Sequence, residues 1–280
     1  MTSSHLDPRL AESSHRGGSS GAAPAGEDAQ APRTASDAVA WLLLALAGFA
    51  AGQVLAMLLL TVVAFATGHG ADYTALATRT TPPAWVVVTE LVGLWIGFVG
   101  AVVLASRLRG TGRIRHDMRL GLRPWDLVLG PAVGAAGQLL LVPAIYLPFE
   151  HLFPGLQHQL SAPARHLTGG FPGDQLIIIG ALTTLVVPVV EEMLFRGVVL
   201  HALLRLLRGA GRSLGPVLAV VGTGLIFGLA HLELLQLPGL ALFGMVLAAM
   251  AVRLKRLGPC MLAHATFNLV AVLAIASLHT

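Results

Sequence analysis

Six consecutive residues in an apolar stretch carry more charge than such a stretch needs for folding. They read Glu191-Glu192-Met-Leu-Phe-Arg196, three ionisable groups within six positions. An ionised group at the centre of a membrane helix costs roughly 2.5–3.5 kcal/mol, so three unpaired ones would cost about 8–10 kcal/mol. They must therefore face one another or a polar cavity. At about 100° per residue, Arg196 lies about 40° from Glu192 around a helix and about 140° from Glu191. Glu192 and Arg196 can form an intrahelical ion pair, whereas Glu191 points elsewhere without a local partner. Pro188, just before them, removes a backbone hydrogen bond and can bend the helix open at this level. A buried pair that pins a neighbouring helix would explain Glu192 and Arg196. It does not explain Glu191.

Two further pairs stand on apolar runs at i,i+4 spacing: Phe227 with His231, and His264 with Asn268. Taken singly, His231 reads as an interfacial residue and His264–Asn268 as a contact between helices. Taken together with Glu191, they form a set that activates water. A carboxylate kept from water becomes a stronger base. Imidazole can share the proton or hold a metal, and an Asn amide or a His N–H can donate to a developing oxyanion. Such a set can hydrolyse a peptide bond without a Ser or Cys nucleophile.

Holding these groups requires apolar helices, and the composition supplies them. The chain is 55% hydrophobic and 11% charged, against roughly 25% charged in soluble domains, so the lipid bilayer is the expected solvent. One cysteine, Cys260, excludes both a disulfide framework and a cysteine-based structural zinc site. Apolar runs approaching the roughly 20 residues that cross a bilayer cover 38–67, 84–106, 127–149, 175–204, 215–231, 237–252 and 260–278. The sixth is short enough to be re-entrant. Residues 1–36, rich in Ser, Gly, Ala, Pro and Asp, read as a disordered cytosolic tail, which leaves 37–280 as the transmembrane helical domain.

Basic residues outside the runs number 3, 1, 6, 1, 3, 0, 3 and 0 in chain order. This alternation is what seven spans with a cytosolic N-terminus give under the positive-inside rule. It also accounts for 18 Lys+Arg against 14 Asp+Glu without a nucleic-acid partner. Glycine pairs at four-residue spacing (Gly48/Gly52, Gly93/Gly97, Gly130/Gly134, Gly224/Gly228) predict close helix contacts. The expected fold is all-α: a polytopic bundle of about seven spans, multi-pass in a bacterial cytoplasmic membrane, with an intramembrane active site on helices four, five and seven.

The three motifs resemble the CAAX-protease and bacteriocin-processing (CPBP, or Abi) family of intramembrane peptidases. That family carries Glu-Glu-x-x-x-Arg, then Phe-x-x-x-His, then His-x-x-x-Asn or Asp on successive helices. All three stand here in order, as Glu191-Glu192-x-x-x-Arg196, Phe227-x-x-x-His231 and His264-x-x-x-Asn268, and the resemblance covers about 175–275. It implies that Glu191 and His231 activate the attacking water, that His264 and Asn268 bind the oxyanion or a metal, and that Glu192 with Arg196 supports them. The implied substrate is a peptide or protein at the membrane. Members are described both as metalloproteases and as metal-independent glutamate peptidases. A divalent metal such as zinc on Glu191, His231 and His264 stays an open alternative, with the absence of a His-Glu-x-x-His helix favouring metal-free catalysis. A non-catalytic scaffold or bacteriocin self-immunity protein of the same fold is the main rival, and a proton-coupled transporter the second.

One expectation is geometrically awkward. His231 lies about 24 Å along the fifth helix and His264 only about 9 Å along the seventh, counted from the same side. Upright helices with those starts would keep the two imidazoles apart. Either the seventh starts earlier or the fifth is displaced or tilted.

Overall fold

The computed structural model describes residues 32–72, 75–76, 78–79, 82–150, 152–162 and 173–277. Most of the expected tail (residues 1–31) lies outside these, as does Arg165. Among the described residues seven main helices follow in order: α1 (Ala35–Ala66), α2 (Ala84–Arg109), α3 (Asp126–Glu150), α4 (Gln175–Ala210), α5 (Leu214–Ala230), α6 (Leu237–Leu254) and α7 (Gly258–Ala276). Short helical turns at Ile114–Asp117 and Leu156–Leu160 sit in the connections. No strand occurs among the described residues.

Six of the seven are long and apolar enough to cross a membrane. The short one is α5 rather than the sixth; its 17 residues rise about 26 Å, against about 30 Å of hydrocarbon. Leu43, Leu46, Met57, Val62 and Phe65 of α1 are all more than half exposed, as expected of side chains that face lipid. The chain is an integral membrane protein.

α1 begins inside the stretch expected as tail. Thr34 accepts a hydrogen bond from the Asp37 amide and the Asp37 carboxylate accepts one from the Thr34 amide, both at 3.0 Å. This reciprocal cap satisfies two otherwise free N–H groups and starts the helix at Ala35, three residues before the apolar run.

The glycine pairs lie at helix contacts. A Cβ on Gly97 would stand 2.3 Å from the Gly48 carbonyl oxygen, and one on Gly93 2.3 Å from the Ala56 Cα, so α1 and α2 meet backbone to backbone. Gly130 and Gly134 seat α3 in the same way on Leu262 and Ala263 of α7. Gly224 and Gly228 of α5 do so on Ala241 and Met245 of α6. α4 runs through the middle and touches α1, α2, α5, α6 and α7.

The arginine-rich end of the bundle fixes the height of α7. Leu257 donates its amide to the Arg119 carbonyl and Gly258 to the Gly121 carbonyl, each at 3.1 Å. Arg256 clasps both carboxylate oxygens of the buried Asp126 at 2.6 and 2.9 Å. The first turn of α7 is thereby tied to the connection between α2 and α3.

Candidate active site

α4 is not a uniform helix. Wide π-type turns occupy Leu182–Val186 and Met193–Val199, on either side of the α-helical Val187–Glu192. Such turns expose or re-aim groups that a regular helix would hide, and they cluster at functional sites. Glu191 and Glu192 stand at the end of the α-helical piece, and Arg196 in the turn that follows.

Arg196 and Glu192 make the pair expected from their spacing. Arg196 Nη1 donates to Glu192 Oε1 at 2.7 Å, and neither side chain is exposed. The guanidinium also donates from Nη2 to the Gly244 carbonyl of α6 at 3.1 Å, and its carbon lies 4.5 Å above the Phe227 ring of α5. One buried cation is thus held by a carboxylate, a carbonyl and an aromatic face. Gly244 is bare because Phe227 and Gly224 approach it; a Cβ there would stand 3.0 Å from Phe227.

Glu192 also accepts a bond from α7. His264 Nδ1 lies 2.9 Å from Glu192 Oε1, so a carboxylate acceptor places the proton on Nδ1 and turns Nε2 the other way. That Nε2 lies 3.9 Å from Glu191 Oε2. Glu191 Oε2 is buried and has no hydrogen-bond partner. The distance is too long for a direct bond and matches two polar atoms sharing one water.

The Phe227 ring connects the remaining imidazoles. Its centroid is 4.7 Å from the His231 ring and 5.6 Å from the His264 ring, edge to face in both cases. Phe227 is where α5 meets His264 of α7. α7 starts at Gly258, two residues earlier than expected, and Phe227, one turn before His231, reaches across to His264. His231 donates from Nδ1 to the Phe227 carbonyl at 2.8 Å, an acceptor that again leaves Nε2 as the open nitrogen. Asn268, one turn beyond His264, donates from Nδ2 to the Thr183 carbonyl of α4 at 3.0 Å.

Glu191, Glu192, Arg196, Phe227 and His264 thus converge, His231 stands against the Phe227 ring, and Asn268 bonds α4 one π-turn away. Three groups carried no signal in the sequence: the Gly244 carbonyl, the Thr183 carbonyl and the Phe243 ring, whose centroid is 6.2 Å from that of His264. Carbonyls have no signature of residue type. No three His, Cys, Asp or Glu side chains among the described residues are grouped to hold a metal. Glu191 Oε2 and His264 Nε2 offer two donors, and His231 does not join them as a third. Glu191, His231 and His264 are thus not gathered as a three-ligand set.

Fold and site together define a class: a polytopic helical membrane protein with a buried carboxylate–imidazole centre assembled from its C-terminal helices. Residues 173–270, which contain every member of that centre, match the family model described as type II CAAX prenyl endopeptidase, Rce1-like. The match is consistent with an intramembrane peptidase of the CPBP family; α1, α2 and α3 lie outside it. No curated protein and no solved structure gives a significant match to the chain.

Proposed function

We propose that the protein is an intramembrane endopeptidase that hydrolyses a peptide bond of a membrane-associated protein or peptide by carboxylate-activated water. The observation that carries this reading is the partnerless Glu191 Oε2 facing His264 Nε2 at 3.9 Å, next to a second carboxylate whose Oε1 is bonded to both Arg196 and His264. A water held between these atoms gives a proton to Glu191 while its oxygen attacks the substrate carbonyl. The tetrahedral oxyanion forms beside the imidazoles, and an imidazole that has taken up a proton at Nε2 can donate to it. As the C–N bond breaks, the proton passes to the leaving nitrogen, giving a carboxylate and an amine. His231, whose Nδ1 is spent on the Phe227 carbonyl, relays that proton through Nε2. Glu192 and Arg196 hold the His264 ring and its tautomer, much as the carboxylate of a Ser-His-Asp triad does. The arginine-rich end faces the cytosol of a bacterial cell, with the N-terminus on that side.

The test uses protein reconstituted in vesicles and a library of membrane-bound and lipidated peptides, with Glu191→Ala as control and a zinc chelator as a second arm. The expected result is cleavage by the unaltered protein alone, unaffected by chelator. Equal cleavage by Glu191→Ala would overturn the role of Glu191. Loss with chelator, restored by zinc, would replace the water-only mechanism by a metal-assisted one. An absence of cleavage from the whole library, with the fold intact, would favour the scaffold or self-immunity reading.

A further inference from the structure

The hydrogen bond from Asn268 lands on a carbonyl that the chain itself has left without a donor. In the π-type turn of α4 each amide bonds the carbonyl five residues back, and Val187 donates to the Leu182 carbonyl in that register. The next residue in register is Pro188, whose partner would be the Thr183 carbonyl. Proline has no N–H to give. Asn268 Nδ2 fills that place at 3.0 Å. The neighbouring hydroxyls cannot do so, because Thr183 Oγ1 and Thr184 Oγ1 are turned back to the Ile179 and Gly180 carbonyls at 2.8 Å.

The two polar side chains on this face of α7 therefore straddle Pro188. Asn268 holds α4 five residues before the proline, and His264 holds it four residues after, at Glu192. Between these points stands Glu191, whose own carboxylate has one oxygen free of any bond. The direction of Glu191 is set by how α4 turns through this short piece, and the piece is held at both ends by α7.

We infer that Asn268 is a positioning residue: it stands in for the backbone N–H that Pro188 lacks, and through it α7 fixes the turn of α4 that aims Glu191. The inference rests on the reading of Glu191 as the base. The Nδ2–H given to the Thr183 carbonyl acts on the reaction through the backbone, and this role does not draw on the second N–H of the amide.

A double-mutant cycle tests it, read by peptide cleavage and, separately, by thermal unfolding in detergent. Asn268→Ala should lower the unfolding temperature and cut turnover by about 10²-fold, the size of effect a misplaced reacting group of about 1 Å produces. Pro188→Ala restores an amide at the position that needs one. In that background Asn268→Ala should cause little further loss in either measurement, and the pH profile of cleavage should match that of Pro188→Ala alone. Additive losses of stability would show that Asn268 and Pro188 act independently, and would overturn the inference. Restored stability with cleavage still lost would place Asn268 on the reacting atoms, and would overturn it as well. Should no variant and not even the unaltered protein cleave any peptide, the peptidase reading fails, and the unfolding cycle still decides whether Asn268 replaces the missing N–H.

Discussion

His264 Nε2 stands 3.9 Å from Glu191 Oε2 while the other nitrogen of the same ring is bonded to Glu192 at 2.9 Å. The ring therefore tells two adjacent carboxylates apart. Glu192 receives two bonds at Oε1, one of them from the Arg196 cation; its Oε2 is unpartnered like Glu191 Oε2, but it is Glu191 Oε2 that faces the open nitrogen of the imidazole. Replacing Glu191 by Gln should accordingly abolish cleavage, by about 10²–10⁴-fold for the loss of a general base, and leave the unfolding temperature nearly unchanged. Circular dichroism melts beside the peptide assay check both halves. A large drop in stability would mean that Glu191 is structural.

Arg196 should behave in the opposite way. It is fully buried against Glu192, the Gly244 carbonyl and the Phe227 ring. Arg196→Ala leaves the Glu192 carboxylate buried without its cation and should cost about 3–5 kcal/mol. Arg196→Lys should recover only part of this, since an ammonium cannot reach carboxylate and carbonyl in the same planar fork. Denaturant titration of both variants gives the comparison, and a fully stable Arg196→Ala would remove the ion pair from the account.

The arginine-rich end carries its own titratable lock. Asp117 is buried and accepts bonds from the Ser106 hydroxyl at 2.6 Å and from the Thr111 amide and hydroxyl at 2.9 and 2.6 Å. Burial alone would raise its pKa, but these hydrogen bonds outweigh it and hold the carboxyl below its ordinary value of 3.8. A pKa lowered by folding contributes stability that is present above 3.8 and lost as the pH falls from there through the lower folded value. The connection between α2 and α3 should therefore become sensitive to an acid protease below that pH, and Asp117→Asn should be sensitive already at neutral pH. Equal resistance of both proteins across the range would show that Asp117 does not lock the loop.

Orientation in the membrane yields to reporter fusions. Arg256 bonded to Asp126 puts the α2–α3 and α6–α7 connections at one end of the bundle. Reporters placed within 107–125 and within 253–257 should then read the same side, the cytosolic one, and a reporter at the C-terminus the opposite side. Finding all three on one side would mean that one of the helices does not cross.

The sequence by itself determined what depends on neighbours along the chain. Glu192 and Arg196 pair because the rise and turn of a helix bring residues four apart onto one face, and that is so wherever the helix sits. The apolar runs, the Gly48/Gly97 type of contact and the three motifs were legible for the same local reason. Boundaries slipped where capping chemistry outran hydropathy, as at Thr34. Which carboxylate His264 would bind was not legible. That depends on the height and rotation of α7, set by the amides of Leu257 and Gly258 on the Arg119 and Gly121 carbonyls and by α3 seated on Ala263 through Gly134. The Gly244 carbonyl under Arg196 and the Thr183 carbonyl under Asn268 are likewise products of packing. They join groups 48 and 85 positions apart, and only the assembled bundle brings such distant groups within hydrogen-bonding reach, because interhelical register is fixed by the sum of many side-chain contacts and not by any one motif.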